Sequence, residues 1–248
     1  MANPLKIPGT ITTIKTLDQG VYALTIASEK RVPRFKAGQF LHLTLDDYDP
    51  QGGFWPESRV FSIASAPSSQ DIEIVYSVKG RYTTRMSREI VLGKRVWLKF
   101  PYGEFSIETA AAPGQAIVLV AGGTGISPFI SYLRGIHING PAEKRQIHLI
   151  YGIRKPEHLL YPEVLYACCS EAQKVTIDLF IENGTDQVLQ GANRCKGMIT
   201  LNHILDQGKR MAQPAYFLSG PPAMIQTFKK GLTSAGIEGT NIKIDEWE

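Results

Sequence analysis

Residues 116–137 read AIVLVAGGTGISPFISYLRGIH. The first seven form an unbroken apolar run, the mark of a strand buried on both faces of a parallel sheet. The last twelve, 126–137, carry a helical pattern, with Pro128 early, where a missing N–H costs little. Between them, Gly122, Gly123 and Gly125 let the backbone turn sharply and approach a ligand closely. The helix start behind them offers free N–H groups and a positive dipole end to a pyrophosphate. The loop is not the G-x-G-x-x-G dinucleotide fingerprint, and a tight β–α connection is its bland reading. Its place after a buried strand and before a helix favours the phosphate reading.

Downstream the same rhythm repeats. QIHLIYGI (146–153), KVTIDLFI (174–181), AYFLSG (215–220) and IKIDEW (242–247) read as strands; YPEVLYACCS (161–170) and PAMIQTFKKGLTSAG (222–236) read as helices. Alternating strand and helix with right-handed crossovers predicts an open parallel sheet. A second turn, LSGPPAMI (218–225), again joins a strand end to a helix start. In such sheets ligands sit outside the carboxyl ends of the strands, so the two turns outline a crevice for a planar, phosphate-bearing molecule.

Upstream the period changes to two. TITTIKTL, VYALTIAS, GQFLHLTL, RVFSIAS, DIEIVYSV and RVWLKF are six candidate strands separated by Gly, Pro and Asp clusters, with one helical patch at 83–90. Short alternating strands at this spacing predict a small antiparallel barrel. The expected fold class is therefore two-domain, β followed by α/β. A six-stranded antiparallel barrel spans 1–108, and a Rossmann-like parallel-sheet domain spans 113–248. The stretch TAAAPGQ (109–115) is the expected linker.

Composition narrows the function. Apolar residues make up 43% of the 248, and no run of 18 apolar residues occurs, so no membrane span is expected. The N-terminal stretch lacks a signal-peptide pattern. Three cysteines, two of them adjacent, have neither disulfide, zinc nor iron–sulfur spacing, and the expected setting is a reducing cytoplasm. A net charge of +4 with scattered basic residues does not suggest nucleic acid. The five histidines show no close pairing, and the acidic run LDDYDP lacks the periodic donors of a calcium loop, so no metal is expected.

Six stretches in order resemble the ferredoxin–NADP reductase family of FAD-dependent oxidoreductases, over nearly the whole chain. RVFSIAS (59–65) resembles the family's R-x-Y-S flavin motif, KGRYTTRM (79–86) its G-x-x-S/T phosphate motif, and FPYGEF (100–105) its P-x-G-x-F turn. GGTGISP (122–128) resembles the pyridine-nucleotide loop, and YGIR (151–154) and LSGPP (218–222) the two signatures after it. The resemblance implies that Arg59 holds FAD phosphate, that Phe61 stacks on the isoalloxazine and that Ser62 hydrogen-bonds near flavin N5. It places Val60, Tyr76 and Val78 in the flavin wall, and Gly80, Thr83 and Thr84 at the pyrophosphate; for the two threonines, ordinary helix capping is the alternative. Gly123, Thr124, Gly125, Pro128, Arg154, Glu182, Gly220 and Pro221 would bind NAD(P). Ser62 and Ser219 would flank hydride transfer. Phe61 departs from the family's Tyr, and Ser219 from its Cys. Trp247 either covers the flavin or packs on the last strand.

Two residues favour NADH over NADPH. Glu182 can accept from ribose hydroxyls and would repel a 2′-phosphate, and Met198 stands where NADP-type members carry Arg. Arg154, Arg194 and Lys196 point the other way. The implied function is an NAD(P)H oxidoreductase that passes hydride to FAD and then electrons to a separate ferredoxin, flavodoxin or oxygenase component. The basic excess, with Arg81, Arg85 and Arg88 beside the flavin motif, suits an acidic partner. A free-standing flavin or ferric reductase, or a flavin-binding relay subunit, stays open as an alternative. A monomer is expected. No residue in the motifs looks like a strong acid or base.

Overall fold

The computed structural model describes residues 4–139, 145–169, 175–184 and 189–245. The first sheet holds β1 (Leu5–Asp18), β2 (Val21–Ser28), β3 (Phe40–Thr44), β4 (Arg59–Ser62), β5 (Asp71–Ser77) and β6 (Arg95–Tyr102), in the order β4-β3-β6-β1-β2-β5. All its pairings are antiparallel. Just past β4, Ile63 bridges Ile74 of β5, joining the two edge strands. The sheet thus curls into a barrel and leaves no long edge open to another chain. Alternation puts Leu24, Ile26, Leu41, Leu43, Ile63, Ile72, Ile74, Leu98 and Phe100 inside, fully buried. Each such side chain contributes roughly 1.5–3 kcal/mol relative to exposure.

Helix α1 (Arg81–Glu89) lies between β5 and β6, and the short α2 (Ile107–Ala110) follows β6. The helix starts two residues earlier than its sequence pattern suggests. The Thr83 hydroxyl accepts the amides of Lys79 (2.9 Å) and Gly80 (3.1 Å) and fixes the turn.

The second sheet holds β7 (Ile117–Gly122), β8 (Ile147–Ile153), β9 (Val175–Ile181), β10 (Asn193–Lys196), β11 (Ala215–Ser219) and β12 (Ile242–Ile244), in the order β10-β9-β8-β7-β11-β12. All its pairings are parallel. Helices α3 (Ser127–Asn139), α4 (Pro162–Cys168), α5 (Leu201–Lys209) and α6 (Pro222–Ser234) connect its strands. From β7 the chain steps outward to β8, β9 and β10, then returns to place β11 on the other side of β7. That reversal opens the sheet between the carboxyl ends of β7 and β11, where open α/β sheets bind ligands.

Two elements of this half were not anticipated. Strand β10 is polar and largely exposed, with no alternation to read. Helix α5 begins at Thr200, whose hydroxyl accepts the His203 amide at 3.2 Å, and it contains Gly208, a poor helix former.

Beside a core of its own in each half, one buried cluster spans the barrel and the parallel sheet. Ala23, Ala37, Ala64, Val75 and Phe105 of the first half pack in the same buried cluster as Phe129, Leu133, Leu165 and Phe217. Polar pins reinforce the seam. Ser131 Oγ donates to the Ser65 carbonyl at 2.7 Å. Arg134 Nη1 donates to Glu73 Oε1 at 2.9 Å and to the Ala64 carbonyl at 3.1 Å. The Tyr161 hydroxyl donates to the same Glu73 oxygen at 2.5 Å. Tyr161 reaches it from a left-handed backbone (φ 55°), unusual for a bulky residue.

Candidate functional site

A crevice of about 880 Å³ runs along the seam, over the carboxyl ends of β7 and β11. Its barrel wall carries Val60, Phe61, Ser62 and Tyr76; its other wall carries Gly123, Thr124, Gly125, Arg154, Glu182, Ser219, Gly220 and Pro221. Twelve residues singled out from sequence therefore line one cavity.

On the barrel wall, Phe61 packs edge-on against Tyr76 at 6.3 Å, and Tyr76 stacks on Tyr22 at 5.3 Å. Both rings are largely buried in the barrel core. Burial pushes the Tyr76 phenol up to about 12, so it stays neutral and apolar at ordinary pH. An aromatic face bounded by the Ser62 hydroxyl suits a flat heterocycle.

The phosphate end lies at α1. Gly80 is extended, and a Cβ there would meet nothing within 4 Å. No side chain caps the helix start, so its first-turn amides are left without an intrahelical acceptor. An anion fits there. The Thr83 hydroxyl is engaged in the turn, in keeping with its capping alternative, and Gly80, Thr83, Thr84 and Val78 stand beside the crevice rather than in its wall. Arg59 also lies outside the wall. Its guanidinium pairs with Glu57 at 2.9 Å and covers the Tyr82 ring at 4.7 Å. Arg85 is engaged by Asp46 and Glu89, so of the three arginines expected to face a partner it is the one already neutralised.

On the nucleotide wall, the turn after β7 is a single 3-10 turn, Gly123–Ile126. Gly123 takes φ 55° with open space around its α-carbon, so its backbone can meet a ligand directly. At Gly125 a Cβ would come within 2.5 Å of the backbone of Gly220 and Ser219. The two nucleotide loops therefore touch backbone to backbone, and only glycine permits it. Tyr151 holds the Gly123 carbonyl at 3.2 Å. Pro128 is buried behind the loop and does not face the crevice.

At the far end, Arg154, Glu182, Gly197, Met198 and Ile199 come together. Residues from three strand ends are thus gathered where the carboxylate of Glu182 and the guanidinium of Arg154 both face the same space.

One residue that the sequence pattern did not mark is central. Asp245 follows β12, and its amide donates to the Leu218 carbonyl at 2.9 Å, which places it beside Ser219. Its side chain lines the crevice yet is only 4% exposed. Ser219 Oγ donates to Asp245 Oδ2 at 2.9 Å. Burial raises the Asp245 carboxyl, and hydrogen bonds from Ser219 and Ser62 lower it, leaving it at about 7. Ser62 from the barrel and Ser219 from the sheet thus meet at one carboxyl able to take or give a proton near neutrality. Asp245 lies outside the motifs read from sequence, in which no residue looks like a strong acid or base. Trp247, expected either to cover the flavin or to pack on the last strand, lies outside the described residues.

Elsewhere, the histidines are not all isolated, as their spacing suggested. His148 and His203 both reach Asp178 Oδ2, at 2.8 and 2.6 Å. Among the described residues no group of three or more His, Cys, Asp or Glu could hold a metal ion, and no helix is long and apolar enough to cross a membrane.

Residues 119–230 match the oxidoreductase NAD-binding domain family. The reductase component of propane 2-monooxygenase from Rhodococcus jostii (strain RHA1) is 24% identical over 241 residues, covering 96% of this chain and 62% of that protein. The ferredoxin–NAD(P)(+) reductase component of the naphthalene 1,2-dioxygenase/salicylate 5-hydroxylase systems of Ralstonia sp. is 26% identical over 243 residues, covering 96% and 68%. The ferredoxin–NADP(+) reductase of Neisseria gonorrhoeae, solved with bound FAD and NADP, superposes with a TM-score of 0.72 at 19% identity, covering 98% of each chain. The chain spans between 53 and 62% of the length of the first curated relatives it matches.

Proposed function

We propose that this chain is a member of the ferredoxin–NADP reductase family of FAD- and NAD-binding oxidoreductases, an NAD(P)H-dependent reductase that feeds electrons to a separate acceptor protein. The observation that carries this reading is the meeting of Ser62, Ser219 and Asp245 at one point of a crevice whose walls come from the two halves. In this reading residues 1–108 form the FAD-binding domain and 113–248 the NAD(P)-binding domain.

FAD, when bound, supplies the redox chemistry: it takes a hydride from the nicotinamide and releases electrons onward. The chain's own residues bind, orient and handle the proton. The uncapped start of α1 and Arg59 hold the FAD phosphates; a surface pair such as Arg59–Glu57 is worth only about 0–1 kcal/mol and yields to a phosphate. Phe61 and Tyr76 wall the ring, and Ser62 orients its reacting edge. The turn at Gly123–Gly125 and the start of α6 at Gly220–Pro221 hold the dinucleotide pyrophosphate. Asp245 would supply the proton that balances hydride arrival at the flavin, by way of Ser62, while Ser219 holds its carboxyl in place. Glu182 accepts from the ribose hydroxyls, and the exposed Met198 offers no charge to a 2′-phosphate, so NADH is the preferred donor.

The acceptor is an acidic electron-transfer protein or oxygenase component. The net charge of +4 and the exposed Arg81 and Arg88 beside α1 support this choice. The three free cysteines suit a reducing cytoplasm. The test is anaerobic stopped-flow mixing of the flavin-loaded protein with NADH and NADPH in parallel, followed at the flavin band. Fast bleaching by NADH and slower bleaching by NADPH is the expected result. A bound flavin that neither nucleotide bleaches would overturn the enzyme reading and leave a relay subunit.

A further inference from the structure

Asp178 sits in the middle of β9, only 2% exposed. Its Oδ1 accepts from Asn193 Nδ2 at 2.8 Å. Its Oδ2 accepts from His148 Nε2 at 2.8 Å and His203 Nε2 at 2.6 Å. A carboxylate oxygen can only accept, so each imidazole carries its proton on Nε2. Burial raises the carboxyl, but the hydrogen bonds from His148, Asn193 and His203 more than offset this, and it rests at about 2. The group is therefore a permanent anion at any working pH, held by N–H donors from β8, β10 and α5.

Two of those donors bracket the crevice wall. Asn193 pairs with Asp178 in the β9–β10 register. His203 lies in the first turn of α5, with its ring edge-on to Phe180 at 4.8 Å. Between them the chain carries Gly197, Met198 and Ile199, which line the crevice beside Arg154 and Glu182. Gly197 turns through φ 88°, and its amide donates to the Ile181 carbonyl at 2.8 Å. The segment from 194 to 202, which comprises the end of β10, the turn 197–200 and the start of α5, is thus tied at both ends to one buried carboxylate.

We infer that Asp178 is a positioning residue for nucleotide binding: it staples the two elements that flank the 197–200 turn, β10 and α5, and so sets the wall that meets the adenosine half of the dinucleotide. This rests on the nucleotide-binding reading of the crevice. Asp178 touches no ligand itself. It acts through Asn193 and His203. Replacing the carboxylate by an amide keeps the volume but turns one acceptor into a donor facing a donor.

The test measures the dissociation constants of the oxidised nucleotides NAD+ and NADP+ by titration calorimetry in the flavin-loaded wild type, Asp178→Asn, Asn193→Ala and His203→Ala, with bleaching of the wild-type flavin by NADH and NADPH followed in parallel. Flavin content and amide hydrogen exchange of residues 194–202 are measured on the same samples. Asp178→Asn is expected to bind nucleotide about tenfold more weakly, a change of about 1.4 kcal/mol. Exchange should quicken in 194–202, with flavin content unchanged. Asn193→Ala and His203→Ala, which each remove one donor to Asp178, should weaken binding severalfold even if Asp178→Asn does not fold. Binding within twofold of wild type in all folded variants would overturn the staple. Wild-type protein that binds neither nucleotide would overturn it together with the crevice reading. Wild-type protein that binds nucleotide without bleaching its flavin would overturn the reductase reading alone, and the variants' dissociation constants would still decide the staple.

Discussion

Ser219 and Asp245, the last residue of β11 and the first beyond β12, are joined by a 2.9 Å hydrogen bond inside the crevice. The family resemblance marks the Ser219 position as a cysteine, and the bond gives the hydroxyl a task. A hydroxyl is a firm donor to a carboxylate, whereas a thiol is a weak one. Ser219 is 1% exposed, so water does not replace it.

The pH dependence of flavin reduction should report this carboxyl. The wild-type rate is expected to inflect near pH 7, where Asp245 titrates. Asp245→Asn should abolish the inflection. Because the Ser219 hydrogen bond lowers the carboxyl, Ser219→Ala should move the inflection upward. Stopped-flow rates between pH 5.5 and 8.5 decide it; an inflection that persists in Asp245→Asn belongs to another group.

The same group predicts a stability effect with a fixed sign. The Asp245 carboxyl is raised from 3.8 in the unfolded chain to about 7 in the fold. Between these values the folded state holds the extra proton. The stabilisation is complete below about pH 4 and is lost as pH rises through 7, a change on the order of a few kcal/mol. Asp245→Asn should remove that loss, so its melting temperature relative to wild type rises between pH 5 and pH 7.5. Calorimetry at the two values checks it.

Gly125→Ala should separate the two cofactor sites. A Cβ there would sit 2.5 Å from the Gly220 and Ser219 backbone, so one nucleotide loop must shift. Misplacement by about 1 Å can cost about a hundredfold in rate. The variant should keep its flavin and be reduced by NADH at least about tenfold more slowly. Loss of flavin instead would place the damage in the barrel.

Arg59→Ala should shed FAD on gel filtration while the barrel stays folded, since the Arg59–Glu57 pair it breaks is exposed. Full retention of flavin would remove the phosphate role from Arg59 and leave it to the start of α1.

Glu182→Ala should narrow the preference for NADH over NADPH, chiefly by improving NADPH. An unchanged ratio of kcat/KM values would move the ribose site away from the end of β9.

Much of the architecture is written locally. An apolar run before GGTGISP announces β7 and α3, because a strand buried on both faces has no polar positions to show. The barrel strands announce themselves by alternation. Strand β10, NRCK, could not, since it is an exposed edge without an apolar face. Of the crevice residues found from sequence, Gly123, Gly125, Gly220 and Pro221 are marked by turns that need glycine or proline, while Val60, Phe61 and Ser62 are marked by the RVFSIAS strand. Asp245 lacks any such mark: in IKIDEWE nothing tells a surface acid from a buried one, and its burial is made by β11 and β4, far away in the chain. The Asp178 network is hidden for the same reason, its histidines lying 30 and 25 residues from it.

The shared core and the Glu73 hub have a consequence for how such a molecule can be rebuilt. Glu73 of the barrel answers both Arg134 and Tyr161 of the other half, and the alanines around it pack in a single cluster with the helices behind β7. Cutting at 109–115 would bare that cluster on both fragments, so each half, though it keeps a core of its own, would expose an apolar face. Exchange of one half for a homologue's would have to carry the whole seam with it. The pair is the smallest piece that can be shuffled intact, and new modules are best grafted onto its outer surface.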